Sequence, residues 1–213
     1  MIPAKHFYMI RHGQTEANAN RLMAGSLDSP LTDLGKEQAQ TAQSIVSQLD
    51  IKPQAIVHSN LSRARDTASI INTALSVPQY EDADLAEIHA GDWEGVPYEQ
   101  CEDLLNGWPT PPNGETFDAF CTRIQRGKEN ALQREEQPIL IVSHGGVFRA
   151  FGGLYRLQTP GIFGNCQLFE FKPSADNEKF PWSVWSYTLE NDTIARCQND
   201  VFHSSDTINK SAA

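Results

Sequence analysis

Short uninterrupted apolar runs alternate along this chain with longer stretches whose apolar positions recur every three to four residues. The runs are Phe7-Tyr8-Met9-Ile10, Ala55-Ile56-Val57 and Ile139-Leu140-Ile141-Val142. They read as buried strands, the first over about residues 5–11. Pro30 to Gly35 opens a helix whose Ala39, Ala42, Ile45, Val46 and Leu49 form a stripe, and Pro53 ends that pattern. Ser62 is the expected N-cap of the next helix, with Ala64, Thr67, Ala68, Ile71 and Leu75 on one face. Residues 106–114, rich in proline and glycine, read as a loop. A further helix then carries Phe117, Phe120, Cys121, Ile124, Lys128 and Ala131 on its core side, and Gly127 weakens it only modestly. After the run 139–142 comes a glycine turn and a helix through Phe148, Phe151, Leu154 and Tyr155. Gln167 to Phe171 and Ser183 to Leu189 alternate as strands near a sheet edge. This order gives βαβ units and a mainly parallel sheet. The chain is expected to form one domain over residues 1–203, with 204–213 a loosely ordered polar tail.

Composition narrows the class. At 213 residues, 39% hydrophobic and 21% charged, the chain is ordinary for a globular protein. No run approaches the roughly 20 apolar residues that span a bilayer, and Met1 to Lys5 lacks the core of a signal peptide. Cys101, Cys121, Cys166 and Cys197 are widely spaced without a CxxC pair, which points to free thiols and a cytoplasmic setting. A formal net charge of −10 without a basic block argues against nucleic-acid or anionic-membrane partners. An anionic substrate would therefore be held by a few local arginines.

Candidate chemistry lies where the strands end. Arg11-His12-Gly13 follows the first run, Ser59 leads to Arg63 after the second, and Ser143-His144-Gly145-Gly146 follows the third. In an open parallel sheet, ligands bind beyond the carboxyl ends of the strands. Leu85-Ala86-Glu87 adds a carboxylate just before the turn Gly91-Asp92-Trp93-Glu94-Gly95. Taken singly, each has a plain structural reading: a histidine at a strand end, a surface arginine, a surface carboxylate. Together they supply two imidazoles, two guanidinium forks and an acid, which suits phosphoryl transfer through histidine. His12 would attack phosphorus, while Arg11 and Arg63 hold the equatorial oxygens. His144 would donate a further hydrogen bond, and Glu87 would protonate the leaving alkoxide and then activate water. Glu94, in the same turn, is the other carboxylate in reach. Trp93, Tyr98, Trp108 and Phe163 are candidates for an apolar entrance or for ordinary core.

These residues resemble the histidine phosphatase superfamily, the phosphoglycerate mutase-like family. The stretch from Arg11 to Asn18 looks like its signature. Gly25, Asp28, Pro30-Leu31-Thr32, Gly35 and Gln38-Ala39 are similar to the following segment. Ser59, Leu61, Arg63-Ala64 and Thr67-Ala68 match the second arginine motif, and Glu87 with Gly91 to Gly95 the acid/base segment. Ser143 to Gly146 matches the second histidine motif. The resemblance implies a three-layer α/β/α sandwich, mainly parallel with an antiparallel strand, and no metal or other cofactor. It implies His12 as the phosphorylated nucleophile and Glu87 as proton donor. Arg11, Arg63 and His144 would complete the phosphate pocket, with Asn18 and Gly145 as substrate contacts. Two positions depart from the family pattern. Ala24 stands where a polar residue is usual, and Ala86 where arginine is frequent.

Mutases resembling this chain carry a long, basic insertion between the acid/base glutamate and the second histidine. Here 56 residues, 88 to 143, intervene, and 92–112 contain no lysine or arginine. The expectation is a phosphomonoesterase acting on a small phosphorylated metabolite. The alternatives are cofactor-dependent mutase-type transfer and a non-catalytic phosphate-binding regulatory protein. A homodimer is a further expectation.

Overall fold

The computed structural model describes residues 1–101, 109–160, 162–175 and 179–202. Among them, seven strands and five α-helices follow the alternating pattern. In chain order they are β1 (Phe7–Arg11), α1 (Glu16–Ala19), α2 (Asp33–Ser47), β2 (Ala55–His58), α3 (Ser62–Asn72) and β3 (Gln79–Glu81). Then come α4 (Phe117–Gln133), β4 (Ile139–Ser143), α5 (Gly145–Leu154), β5 (Leu168–Pro173), β6 (Trp182–Glu190) and β7 (Thr193–Gln198). Strand order is β3-β2-β4-β1-β5-β6-β7. The first four are parallel neighbours, and β5, β6 and β7 add antiparallel ribbons beside β1. The fold is thus α/β with a mostly parallel core, as the resemblance implied, and three antiparallel pairings, β1 with β5, β5 with β6 and β6 with β7, extend the sheet on one side.

The apolar runs lack a polar alternate because helices cover both faces. Phe7, Met9, Ile139 and Ile141 point into a core with Phe120, Ile124 and Ala131 of α4 and Phe148 and Phe151 of α5. Tyr8, Ile10, Leu140 and Val142 point the other way, against Ala39, Ile45 and Val46 of α2 and Ala64, Ala68 and Ile71 of α3. Ser62 is not the cap expected for α3. Leu61 occupies that position without a side-chain bond, and Ser62 N–H and Oγ both bond Asp28 Oδ1 instead. Among the described residues, no helix is long and apolar enough to cross a membrane. The expected tail lies outside the described residues.

Two buried polar groups stand apart from the sheet end that carries the candidate chemistry. Lys128 is fully buried on α4, its Nζ 3.6 Å from the Phe151 ring centroid, 4.6 Å from that of Phe7, and 3.2 Å from Met9 Sδ. Burial holds its amine well below the ordinary lysine range. The unfolded chain then binds a proton that the native one does not, so stability falls as pH falls below that range. Lys128→Met keeps the stem and puts polarizable sulfur among the rings. It should stabilise by about 1–3 kcal/mol at neutral pH. Thermal unfolding checks this: the gain in Tm should shrink toward alkaline pH, and a loss at neutral pH would count against an uncharged amine.

Glu170, 2% exposed, joins β5 to its neighbours. It accepts bonds from Tyr187 (2.7 Å) and Tyr8 (3.3 Å), meets His6 Nε2 at 2.8 Å and pairs with Arg196 at 2.8 Å. Burial pushes its pKa up, but the His6 and Tyr187 bonds and the charges of Arg196 and Lys172 outweigh that and draw it down to about 2. A depressed carboxylate contributes stability above its unfolded value near 4.5, lost as pH falls toward 2. Glu170→Gln should therefore lower stability at pH 7 by about 2–4 kcal/mol, read as a drop in Tm. The gap from wild type should close as pH falls from 5 to 2. A gap constant over that range would show that the charge is not what stabilises.

Candidate active site

The strand order sets β2, β4 and β1 side by side and parallel, with Arg11 paired to Ser143 and His58 to Val142. Arg11-His12, Ser59 and His144 therefore leave the sheet at the same edge. His12 N–H bonds Ser143 O at 3.0 Å, and the two imidazole centroids lie 5.1 Å apart with planes inclined by 59°. A cavity of about 390 Å³ opens over this edge, walled among others by Arg11, His12, Asn18, Arg63, Glu87 and Gly145.

His12 is 4% exposed, and its Nδ1 lies 2.7 Å from Gly13 O. A carbonyl only accepts, so Nδ1 carries the proton and Nε2 keeps the lone pair. Burial, then the charges of Arg63 and Arg11, hold its pKa well below the ordinary histidine range, against the Gly13 bond, which raises it. The imidazole is uncharged at neutral pH. Position 13 admits only glycine, because a Cβ there would strike the Gly35 carbonyl of α2. Gly13 N–H is free to reach Thr67 Oγ1 of α3 at 3.1 Å, and Thr67 bonds Arg63 O in turn.

The guanidinium forks are held from behind. Arg11 Nη1 donates to Phe163 O at 2.6 Å. Among the described residues, its Nε is buried without a hydrogen-bond partner. Arg63, 1% exposed, donates from Nη1 to Leu27 O and from Nη2 to Gly25 O, both at 2.8 Å, and from Nε to His144 Nδ1 at 3.3 Å. Three of its five N–H groups are thereby committed. The loop supplying those carbonyls is fastened at both ends. Glu94 Oε1 accepts from Ser26 N–H, Ser26 Oγ and Ala90 N–H, and Asp28 takes Ser62 as described. Glu94 is thus spent on the loop and is absent from the cavity wall, so the structure does not support it as proton donor.

Glu87 stands on that wall. Its Oε1 accepts from Ile88 N–H at 2.9 Å and its Oε2 from Gly146 N–H at 3.0 Å, in the first turn of α5. A Cβ at position 146 would strike the carboxylate, so glycine is required for this approach. The backbone beneath is held by Arg123 of α4, bonded to Asp84 O (3.0 Å), Ala86 O (2.9 Å) and Glu87 O (3.2 Å) and paired with Glu115 at 2.7 Å. Arg123 acts on the segment whose usual arginine is replaced by Ala86.

Asn18 closes the capping box of α1 with Thr15, and Asn165 Nδ2 donates to its Oδ1 at 3.4 Å and to His12 O at 2.9 Å. The group Asn18 can offer the cavity is therefore its Nδ2 amide. His144 is fully buried and absent from the wall, its Nε2 2.8 Å from Ser59 Oγ. Ala24, Tyr98 and Phe163 line the cavity. Trp93 packs instead beside Met23, Ala90 and Cys101, and Trp108 lies outside the described residues. Arg21 and Arg149 also line it, so basic groups reach the mouth from segments other than 92–112. Sequence reasoning passes over these two and Asn165. The signal for Asn165 is its place just before β5, which lies at this edge only because β5 runs antiparallel to β1.

The family model of the histidine phosphatase superfamily (branch 1) matches residues 7–168. An adenosylcobalamin/alpha-ribazole phosphatase of Salmonella typhimurium is 36% identical over 154 residues, 66% of this chain and 74% of that one. A glucosyl-3-phosphoglycerate phosphatase of Mycolicibacterium vanbaalenii is 33% identical over 164 residues, 68% of this chain and 72% of that one. Among solved structures, a mycobacterial glucosyl-3-phosphoglycerate phosphatase complexed with VO3 superposes with a TM-score of 0.71 at 26% identity. That match covers 95% of this chain and 100% of that one.

Proposed function

The chain belongs to branch 1 of the histidine phosphatase superfamily, and from that premise we propose that it is a phosphoric monoester hydrolase using His12 as nucleophile. The observation that carries the reading is the uncharged His12 imidazole lining the cavity, its Nε2 lone pair kept available by the Gly13 bond, beside the charges of buried Arg63 and half-buried Arg11. Nε2 attacks the phosphorus of a small phosphorylated metabolite, and the ester oxygen departs with the proton of Glu87. Arg11 and the uncommitted N–H groups of Arg63 hold the equatorial oxygens, with the Asn18 amide and the Gly145 end of α5 beside them. His144 supports this cradle through Arg63. Water deprotonated by Glu87 then releases phosphate and restores His12. The arginines supply the positive charge, so the reaction needs no metal.

The relatives' substrates, alpha-ribazole phosphate and glucosyl-3-phosphoglycerate by their names, both pair a phosphate with a bulky alcohol. A similar ester suits the open mouth here. Brief incubation with radiolabelled phosphate ester should give an acid-labile phosphoryl group mapping to His12, with stoichiometric release of inorganic phosphate. Unlabelled protein that still binds phosphate would indicate a regulatory module. Rapid isomerisation of 3-phosphoglycerate with negligible release would indicate a mutase.

A further inference from the structure

Every N–H group of Arg123 is committed inside the protein. Nη1 donates to Asp84 O at 3.0 Å and to Ala86 O at 2.9 Å, and Nη2 to Glu87 O at 3.2 Å. Nε meets Glu115 Oε1 at 3.0 Å, and Nη2 also meets Glu115 Oε2 at 2.7 Å. A guanidinium carries five donors in one rigid plane, so none is left for a ligand, and Arg123 is absent from the cavity wall. Glu115 continues the grip past the acid. Its Oε2 accepts His89 N–H at 3.3 Å, and its own N–H donates to His89 O at 2.8 Å. Glu87 therefore sits in a segment held on both sides by α4 and the residues leading into it.

We infer that Arg123 is a positioning residue for the proton transfer: by fixing three carbonyls of the 84–87 segment against one plane, it sets where the Glu87 carboxyl group meets the leaving oxygen. The inference rests on the assignment of Glu87 as proton donor. Of the two bonds to that carboxyl group, the one from Ile88 N–H moves with the segment, and the one from Gly146 N–H tethers it to α5. The Arg123 and Glu115 side chains are 20% and 16% exposed, so water can reach the carbonyls when the fork is removed. The segment then stays satisfied, but water does not hold three oxygens in a fixed relation. Arg11 and Arg63 are anchored on Phe163, Leu27 and Gly25 carbonyls, outside the segment, so phosphate recognition is left intact. Misplacing a reacting group by about an ångström costs up to about 100-fold.

The test compares esters of unequal leaving ability on Arg123→Met, which keeps the stem, and Arg123→Lys, which keeps the charge but not the fork. For an alkyl phosphate, kcat/KM should fall roughly 10- to 100-fold, and for nitrophenyl phosphate less than about threefold. Inhibition by inorganic phosphate should stay within about threefold of wild type. Added to Glu87→Gln, either substitution should cost the alkyl ester less than about threefold more, because the group it positions is gone. If Arg123→Met does not fold, Arg123→Lys decides alone. Equal losses on the two esters, unchanged alkyl turnover, or a full effect on top of Glu87→Gln overturns the inference. Those results leave Glu87 standing as proton donor. That reading fails separately, and takes this inference with it, if Glu87→Gln alone slows both esters equally.

Discussion

Replacing His12 with alanine should lower turnover by about 10,000-fold or more and abolish the acid-labile phosphoenzyme. The cradle is expected to survive. Arg11 is tied to Phe163 O and Arg63 to the carbonyls of Gly25 and Leu27, and none of these bonds involves the His12 side chain. His12→Ala should therefore still bind inorganic phosphate or vanadate, with affinity within about tenfold of wild type, because anion binding and bond-making reside in different groups. Equilibrium binding and rapid-quench labelling on one preparation would separate the two. A variant that still forms a phosphoenzyme would move the nucleophile elsewhere and end the proposed chemistry. Losing affinity along with turnover would instead mean that the ring itself is part of the anion's shell.

Glu87→Gln should show the opposite selectivity. The amide keeps the shape of the carboxyl group, but cannot give up a proton or take one from water. Esters of alkyl alcohols, whose departing oxygen needs that proton, should slow by about 100- to 10,000-fold. An activated nitrophenyl ester leaves unaided, so its phosphorylation step should suffer far less and any remaining loss should fall on hydrolysis of the phosphohistidine. A plot of rate against leaving-group acidity should steepen in the variant. Parallel lines for the two proteins would assign the proton to another group. The substituted amide also faces the Ile88 and Gly146 N–H groups that the carboxylate accepted, so the test requires unchanged thermal stability as a control.

Much of this arrangement is readable in the chain. An apolar run without a polar alternate means a strand covered twice, and histidine directly after two such runs sets both at one sheet edge once the strands are parallel. Local spacing carries that far because β1, β2 and β4 are buried on both faces and adjacent. Short exposed strands leave no comparable trace. Gln79 to Glu81 and Thr193 to Gln198 pair through backbone and bury little, so no periodicity marks them. Asp28 bonding the first turn of α3 across 34 positions, Arg123 under the acid/base segment and Glu94 on the loop are long-range polar contacts. Each depends on where the chain returns, and no residue pattern near it announces the partner. Spacing puts Lys128 on the right face of its helix, yet it says nothing of the aromatic rings that close around the amine.

The two terminal nitrogens of Arg63 are each gripped by a main-chain oxygen, in a loop whose fastenings at Glu94 and Asp28 lie away from the ligand. Main-chain oxygens persist through substitution. The side chain at 24 can accordingly vary in size or polarity, reshaping what surrounds an incoming alcohol, without loosening the fork that recognises charge. Affinity for the anion and choice of its carrier are in this way adjustable independently, which gives the scaffold freedom to acquire new esters one small change at a time.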